Sequence, residues 1–312
     1  MFFIDKQQFK TLGSLAGGVM LFAFGSFNQA QASEIQMGSG TMSMQAGIFG
    51  LESAIESSVN VLTLKENHAN LFKSDVFYNY SLSTYTSGKF QNENNSLSTI
   101  GGGDISLPNT DYSWDGIDAQ LTLGYDVFKE SEFDYLALGV SLGIALPYIG
   151  NNGTGDSSST SSTTTTVPFG TTSSVDFIAS DTELTAYKIG PKLLFSKSLN
   201  PITSVYGEVS YATQRIEVKN SPLKMAYSTS GDYYSYGLGM RYMPLRTKKE
   251  IGFDSIGYFT IEPSLYFTLG VNYAELTMDK LNVDLTGMKY SVDSAKTRIS
   301  STTLNLGVGY SF

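Results

Sequence analysis

Five ionisable side chains fall in four stretches that otherwise alternate bulky apolar and small residues: Lys188 and Lys192 in the first, then Glu208, Arg241 and Glu262. Each holds the parity of the small or polar positions, opposite the bulky ones. If successive stretches are neighbouring strands, the signs run positive, negative, positive, negative along one wall. Charges facing a narrow interior must be paired or hydrated, because an unpaired buried charge costs several kcal/mol. The ladder reads first as packing that fills the interior, and second as a gate or selectivity ring on a solute path.

Other chemistry has little to stand on. A serine nucleophile needs a base near neutral pH, and His68 is the single histidine, placed where a first strand would start. It reads as a solvated polar residue, so the chain is expected not to be an enzyme. With one His and no Cys, neither a transition-metal site nor a disulfide framework has support. Asp104, Asp111 and Asp115 lack the spacing of a calcium loop. Gly101, Gly102 and Gly103 lack the strand-to-helix context and the lysine of a phosphate cradle. No cofactor is expected. The net charge is -9; Asp5, Lys6 and Lys10 give the first 32 residues +1, leaving -9 - 1 = -10 for the rest, which argues against nucleic acid as a partner.

The elements that would position the ladder are strands. From residue 67 onward eight segments alternate with period two. The first, about 71–86, sets Val76, Tyr78, Tyr80 and Leu82 against Asp75, Phe77, Asn79, Ser81 and Ser83. The second, about 114–128, sets Ala119, Leu121, Leu123, Tyr125 and Val127 against Gln120, Thr122, Gly124 and Asp126. In the third, Leu136, Leu138, Val140, Leu142, Ile144 and Leu146 oppose Ala137, Gly139, Ser141, Gly143 and Ala145. Bulky residues outside and the smallest inside invert a soluble barrel and suit lipid. Four more segments follow, near 183–195, 202–216, 234–242 and 259–273, in which Pro191 and Pro263 invite a bulge or a misplaced boundary. The last is Thr303 to Phe312, with Leu304, Leu306, Val308, Tyr310 and Phe312 on one face and Asn305, Gly307, Gly309 and Ser311 on the other.

Connections between these segments alternate long and short, the long ones near 87–112, 150–180, 217–232 and 275–296. The expected fold is therefore all-β: a transmembrane antiparallel up-and-down β-barrel of eight strands over 67–312. Residues 1–32 have the form of a signal peptide, with Lys6 and Lys10, an apolar stretch and Ala30-Gln31-Ala32. In 33–66, Ile48, Leu51, Ile55, Val59 and Leu62 recur at spacings of three and four, which predicts a short amphipathic helix lying at the barrel mouth. Trp114, Tyr112, Tyr85, Tyr148 and Tyr234 are expected in an outer aromatic girdle, and Tyr125, Phe128, Phe195, Tyr242, Phe259 and Phe312 in an inner one.

The terminal strand resembles the C-terminal strand of bacterial outer-membrane barrels. With the leader, the alternating segments and the asymmetric loops, the whole resembles small Gram-negative outer-membrane barrels such as the OmpA transmembrane domain, OmpW and the opacity proteins. The resemblance implies an outer-membrane location with both mature termini periplasmic. Its implied partners are outer-membrane lipid, lipopolysaccharide and, through the last strand, the barrel-assembly machinery; an external ligand is not identified. It leaves two functions open: a non-enzymatic structural or surface-interaction role carried by the loops, or a narrow channel for small or hydrophobic solutes.

Overall fold

A computed structural model describes residues 32–48, 51–68, 75–88, 90–91, 96–98, 104–106, 110–128, 134–154, 182–220, 225–244, 249–253, 257–261, 264–278, 281–285, 288–292 and 296–311. Ten strands close into one antiparallel barrel. They are β1 (Ala32–Ile48), β2 (Leu51–His68), β3 (Val76–Ser87), β4 (Thr110–Asp126), β5 (Tyr135–Thr154), β6 (Thr182–Asn200), β7 (Thr203–Asn220), β8 (Met225–Tyr242), β9 (Leu265–Met278) and β10 (Lys296–Ser311). Each pairs with the next, and β1 pairs with β10 from Ala32 opposite Ser311 to Gly47 opposite Lys296. The rim holding Ala32 and Ser311 is called the lower rim.

Two of the ten strands replace the expected lead-in and helix. The register sets Met44 opposite Ile55 and Gly40 opposite Val59, which places Ile55 and Val59 on one inward parity with Val61 and Thr63, while Leu62 points the other way opposite Met37. The spacing of three and four was a coincidence of positions drawn from two strands and both faces. The first strand of the eight therefore does not close against the last; β1 does. Pro191 sits within β6 without a register shift, exposed on the outer face. Pro263 lies outside the described residues, as do residues 1–31, which hold nearly all of the expected signal peptide.

The connections also differ from expectation. Residues 221–224 alone join β7 to β8, where a long loop over 217–232 was expected. Residues 243–264, expected as a turn over 244–254 followed by a strand from Phe259, form a long connection with its own hairpin, Lys249–Phe253 with Gly257–Ile261. A second hairpin, Leu281–Leu285 with Met288–Val292, extends the wall by pairing Val283 with Tyr227 of β8.

Polarity reverses along the strands, and β7 shows it within one element. Below, Val205, Val209 and Tyr211 face out and Ser204, Tyr206, Glu208 and Ser210 face in; above, Arg215, Glu217 and Lys219 face out, with Glu217 half-buried and the two cations exposed, while Ala212, Ile216 and Val218 are buried within. At ~3.4 Å per residue β7 is about 60 Å long, roughly twice what a tilted spanning strand requires. The lower storey is thus built for lipid, with exposed Leu138, Val140, Leu142, Leu238, Leu269, Leu304 and Leu306. The upper storey is built for water, and the hydrophobic core sits inside it: Met42, Val59, Trp114, Ile149, Ile216, Val218, Leu276, Met278 and Ile299 form one buried cluster.

Aromatics mark the belt edges. On β8 the path from Tyr234 to Tyr242 is about 27 Å along the strand, or about 21 Å of height at a tilt near 40°, close to the ~25 Å apolar band of such barrels. Tyr211 and Tyr234 contact at 5.1 Å and Tyr236 stacks on Tyr273 at 4.9 Å between centroids. Their hydroxyls reach acids at the belt edges: Tyr211 donates to Asp232 at 2.9 Å, Tyr273 to Glu275, and at the lower edge Tyr125 to Asp75 at 2.9 Å. Two expected members are elsewhere, since Trp114 is fully buried and Tyr85 faces Gly116 inside the barrel. Their parity with Gly116 and Asp118 on β4, and with Ser83 on β3, turns them inward. Phe312 is outside the described residues, and Phe259 belongs to the separate hairpin.

The belt predicts a contrast between storeys. Leu306, 63% exposed midway up the belt, changed to Arg should lower stability by about 2–4 kcal/mol in urea titrations of the bilayer-inserted protein, whereas Thr41→Arg on the upper outer wall should leave the midpoint nearly unchanged.

Candidate functional site

The lower lumen is lined by the small and polar parity of every strand, and the residues that fill it are aromatic or charged. Each of four inward aromatics is registered opposite a glycine: Phe77 with Gly124, Tyr85 with Gly116, Tyr206 with Gly239 and Tyr266 with Gly309. The fit is steric, since a Cβ on Gly309 would lie 2.1 Å from the Tyr266 ring and one on Gly239 2.5 Å from Tyr206. Glycine on one strand is what lets a ring lie flat against the wall.

Glu208 is the centre of the charged cluster. Lys192, on the adjoining β6, meets it at 3.0 Å, and Lys65, from β2 across the lumen, donates to it at 3.3 Å. Lys188 passes over Gly143 of β5 and reaches Asp118 of β4 at 2.5 Å, with its ammonium 4.0 Å from the Tyr233 ring centroid. Gln120 links the two groups: it accepts from Lys192 at 3.5 Å and donates to the Tyr233 hydroxyl at 3.3 Å. Lower down, Glu34 accepts from Gln36 at 2.5 Å and from the Thr268 hydroxyl.

The five residues singled out from sequence therefore do not form one ladder. Lys192 and Glu208 meet; Lys188 turns to Asp118 instead. Arg241 is opposite Ser204 rather than Glu208, because the β7–β8 register pairs Glu208 with Gly237, four positions higher on β8. Its guanidinium lies 5.4 Å from the Tyr206 and 4.8 Å from the Tyr266 ring centroids, a cation–π setting. Glu262 lies outside the described residues. Lys65, Glu34 and Gln36 were missed with their strands, whereas Asp118 shares the parity of Gln120 and was open to detection.

Among the described residues a cavity of about 180 Å³ lies in the lumen between the ionic cluster and the apolar core, lined in part by Thr63, Lys65, Lys188, Glu208, Tyr233 and Asn272. It is a partly open space with room for several waters. Its lower lining carries the ion-paired Lys65, Glu208 and Lys188, and its upper lining includes Met42, Val59, Leu276 and Ile299 of the apolar core. His68 ends β2 with its backbone opposite Tyr78, at the lower rim. Asp115 accepts from the Thr86 hydroxyl at 2.6 Å on the outer wall, and Asp104 lies in a short ribbon opposite Ser98. On the last strand, Leu304, Leu306 and Val308 are exposed on the belt, Tyr310 is half-buried on the same parity, and Asn305 is buried within.

No protein-family model and no curated protein matches the chain. Among solved structures it is similar to the outer membrane protease OmpT from Escherichia coli, at 10% identity over 92% of this chain and 98% of that one, TM-score 0.49. It is similar also to the Pseudomonas putida toluene transporter TodX, at 10% identity over 90% of each chain, TM-score 0.30. A third is Ail, the attachment invasion locus protein of Yersinia pestis, at 12% identity over 90% of this chain and 99% of that one, TM-score 0.26. The geometry itself, a closed antiparallel barrel with an apolar belt between aromatic rings, is the architecture of a small outer-membrane β-barrel.

Proposed function

We propose that this chain is a non-enzymatic outer-membrane barrel whose lumen is shut and whose work is done by the surface above the belt. The lower rim then faces the periplasm, with both mature termini there after removal of the leader, and residues 88–109, 155–181 and 279–295 face outward. The protruding upper wall and these loops meet external partners; lipid and lipopolysaccharide meet the belt and its upper edge, and strand Thr303 to Phe312 engages the assembly machinery. The observation that carries this reading is the stacking of two fillings in one lumen, the ion-paired cluster at Glu208 and the apolar core at Trp114 and Ile216.

A channel is the second reading, favoured by the chamber of about 180 Å³. A path across the membrane must break both the two lysine contacts below and the apolar core above. Purified protein in liposomes should admit no sugars or amino acids in swelling assays and show baseline conductance in planar bilayers. Passage of either solute class would establish the channel and remove the surface role as the leading reading.

A further inference from the structure

The connection between β8 and β9 carries a feature the barrel does not use. Lys249–Phe253 and Gly257–Ile261 form a two-stranded sheet of their own, outside the barrel's hydrogen-bonded ring. Lys249 is registered with Ile261, Ile251 with Phe259 and Phe253 with Gly257, and directly opposed residues share a face. One face of the hairpin therefore carries Ile251, Phe253, Phe259 and Ile261 with Lys249 at its edge. The other carries Glu250, Gly252, Tyr258 and Thr260. A lone hairpin of this length is marginal in water, so its apolar face needs a cover.

The place where the connection leaves and rejoins the wall decides between covers. It departs after Tyr242, exposed at the lower edge of the belt, and returns at Leu265, opposite Tyr310 of the same edge. The lumen mouth beside it is polar, with Glu34, Gln36, Arg241 and Thr268 buried there, and would leave those groups desolvated against an apolar face. The membrane surface matches on two counts. It offers an apolar boundary at that height, and the sequence entering the hairpin, Arg246-Thr247-Lys248-Lys249, is basic in a chain whose net charge is -9.

Resting on the membrane reading above, we propose that the hairpin is an interfacial anchor. The face that carries Ile251, Phe253, Phe259 and Ile261 lies in the leaflet at the lower rim, with Lys249 at its edge toward the anionic phospholipid headgroups. The anchor holds the lower rim at a fixed depth, at the one lower connection long enough to reach sideways over the bilayer.

The chain has no cysteine, so single-cysteine variants report cleanly. The full chain carrying Phe253→Cys, Phe259→Cys, Glu250→Cys, Tyr258→Cys or, in the belt, Leu269→Cys is labelled with a fluorophore. Each is reconstituted in phosphatidylcholine or in equimolar phosphatidylcholine and phosphatidylglycerol. Nitroxide-bearing lipid should quench positions 253, 259 and 269, and aqueous acrylamide positions 250 and 258. Lys249→Gln should lower the lipid-to-acrylamide quenching ratio at 259 about fivefold in the anionic bilayer, the population ratio one headgroup-facing cation is worth. Equal acrylamide quenching on both hairpin faces, or an apolar face shielded from both quenchers, overturns the anchor if Leu269→Cys remains lipid-quenched. No effect of Lys249→Gln overturns the headgroup contact. Loss of lipid quenching at position 269 overturns the membrane reading itself.

Discussion

Replacing Glu208 by Ala should lower the stability of the inserted barrel by about 3–5 kcal/mol, the cost of leaving buried cations without their counter-charge. Glu208 is the shared acid of Lys192, 3.0 Å away on the adjacent strand, and Lys65, 3.3 Å away across the lumen. Both lysine side chains are largely enclosed, at 2% and 14% exposure, so water does not replace the lost partner as it would at a surface pair. The measurement is the urea midpoint of the bilayer-inserted protein, supported by loss of heat-modifiable migration on gels. A companion variant separates charge from packing. With Lys65→Met and Lys192→Met added to Glu208→Leu, most of the loss should return, because apolar residues of similar volume replace a buried ionic cluster at little cost. A gate would behave otherwise: its single variant would raise conductance while the midpoint stayed put.

The extent to which this cluster was legible in the sequence turns on register. Alternation fixed which residues of the eight recognised segments face in, and Lys192 and Glu208 followed from that parity and from strand adjacency. Arg241 satisfied the same two criteria and still missed Glu208, because neighbouring strands are slid along each other and the register pairs Glu208 with Gly237. Parity says which face a residue occupies; only the stagger says how high it stands. Glu34 and Gln36, on β1, were hidden for another reason. The stretch from Met37 to Met44 reads Met-Gly-Ser-Gly-Thr-Met-Ser-Met, with no bulky alternation, since its outer face passes from lipid to water at Ser39 and Thr41 while its inner face passes from Gln36 to Met42. A strand whose apolar face changes sides midway cancels its own period-two signal. The same reversal placed Trp114 in a girdle by depth alone, when its parity with Gly116 and Asp118 pointed into the core.

The upper core gives the second large effect. Trp114 is fully buried among the cluster that includes Met42, Ile149, Ile216 and Val218, and its backbone N–H donates to the Ser87 hydroxyl at 2.8 Å. Trp114→Ala should cost about 3–5 kcal/mol, because the indole's transfer energy is lost and the closed strands around it cannot collapse fully into the void. The vacated space would be bounded by aliphatic side chains, and an apolar cavity of that kind stays dry. The variant should therefore lower the urea midpoint about as much as Glu208→Ala while bilayer conductance stays at baseline. This pairing tests how the lumen is shut. If apolar packing several side chains deep closes it, removing one indole weakens the barrel without wetting it. A conductance rise in Trp114→Ala, with the midpoint little changed, would mean that a single ring stood between the chamber and the outside, and the sealed-lumen reading would give way to that of a gated channel.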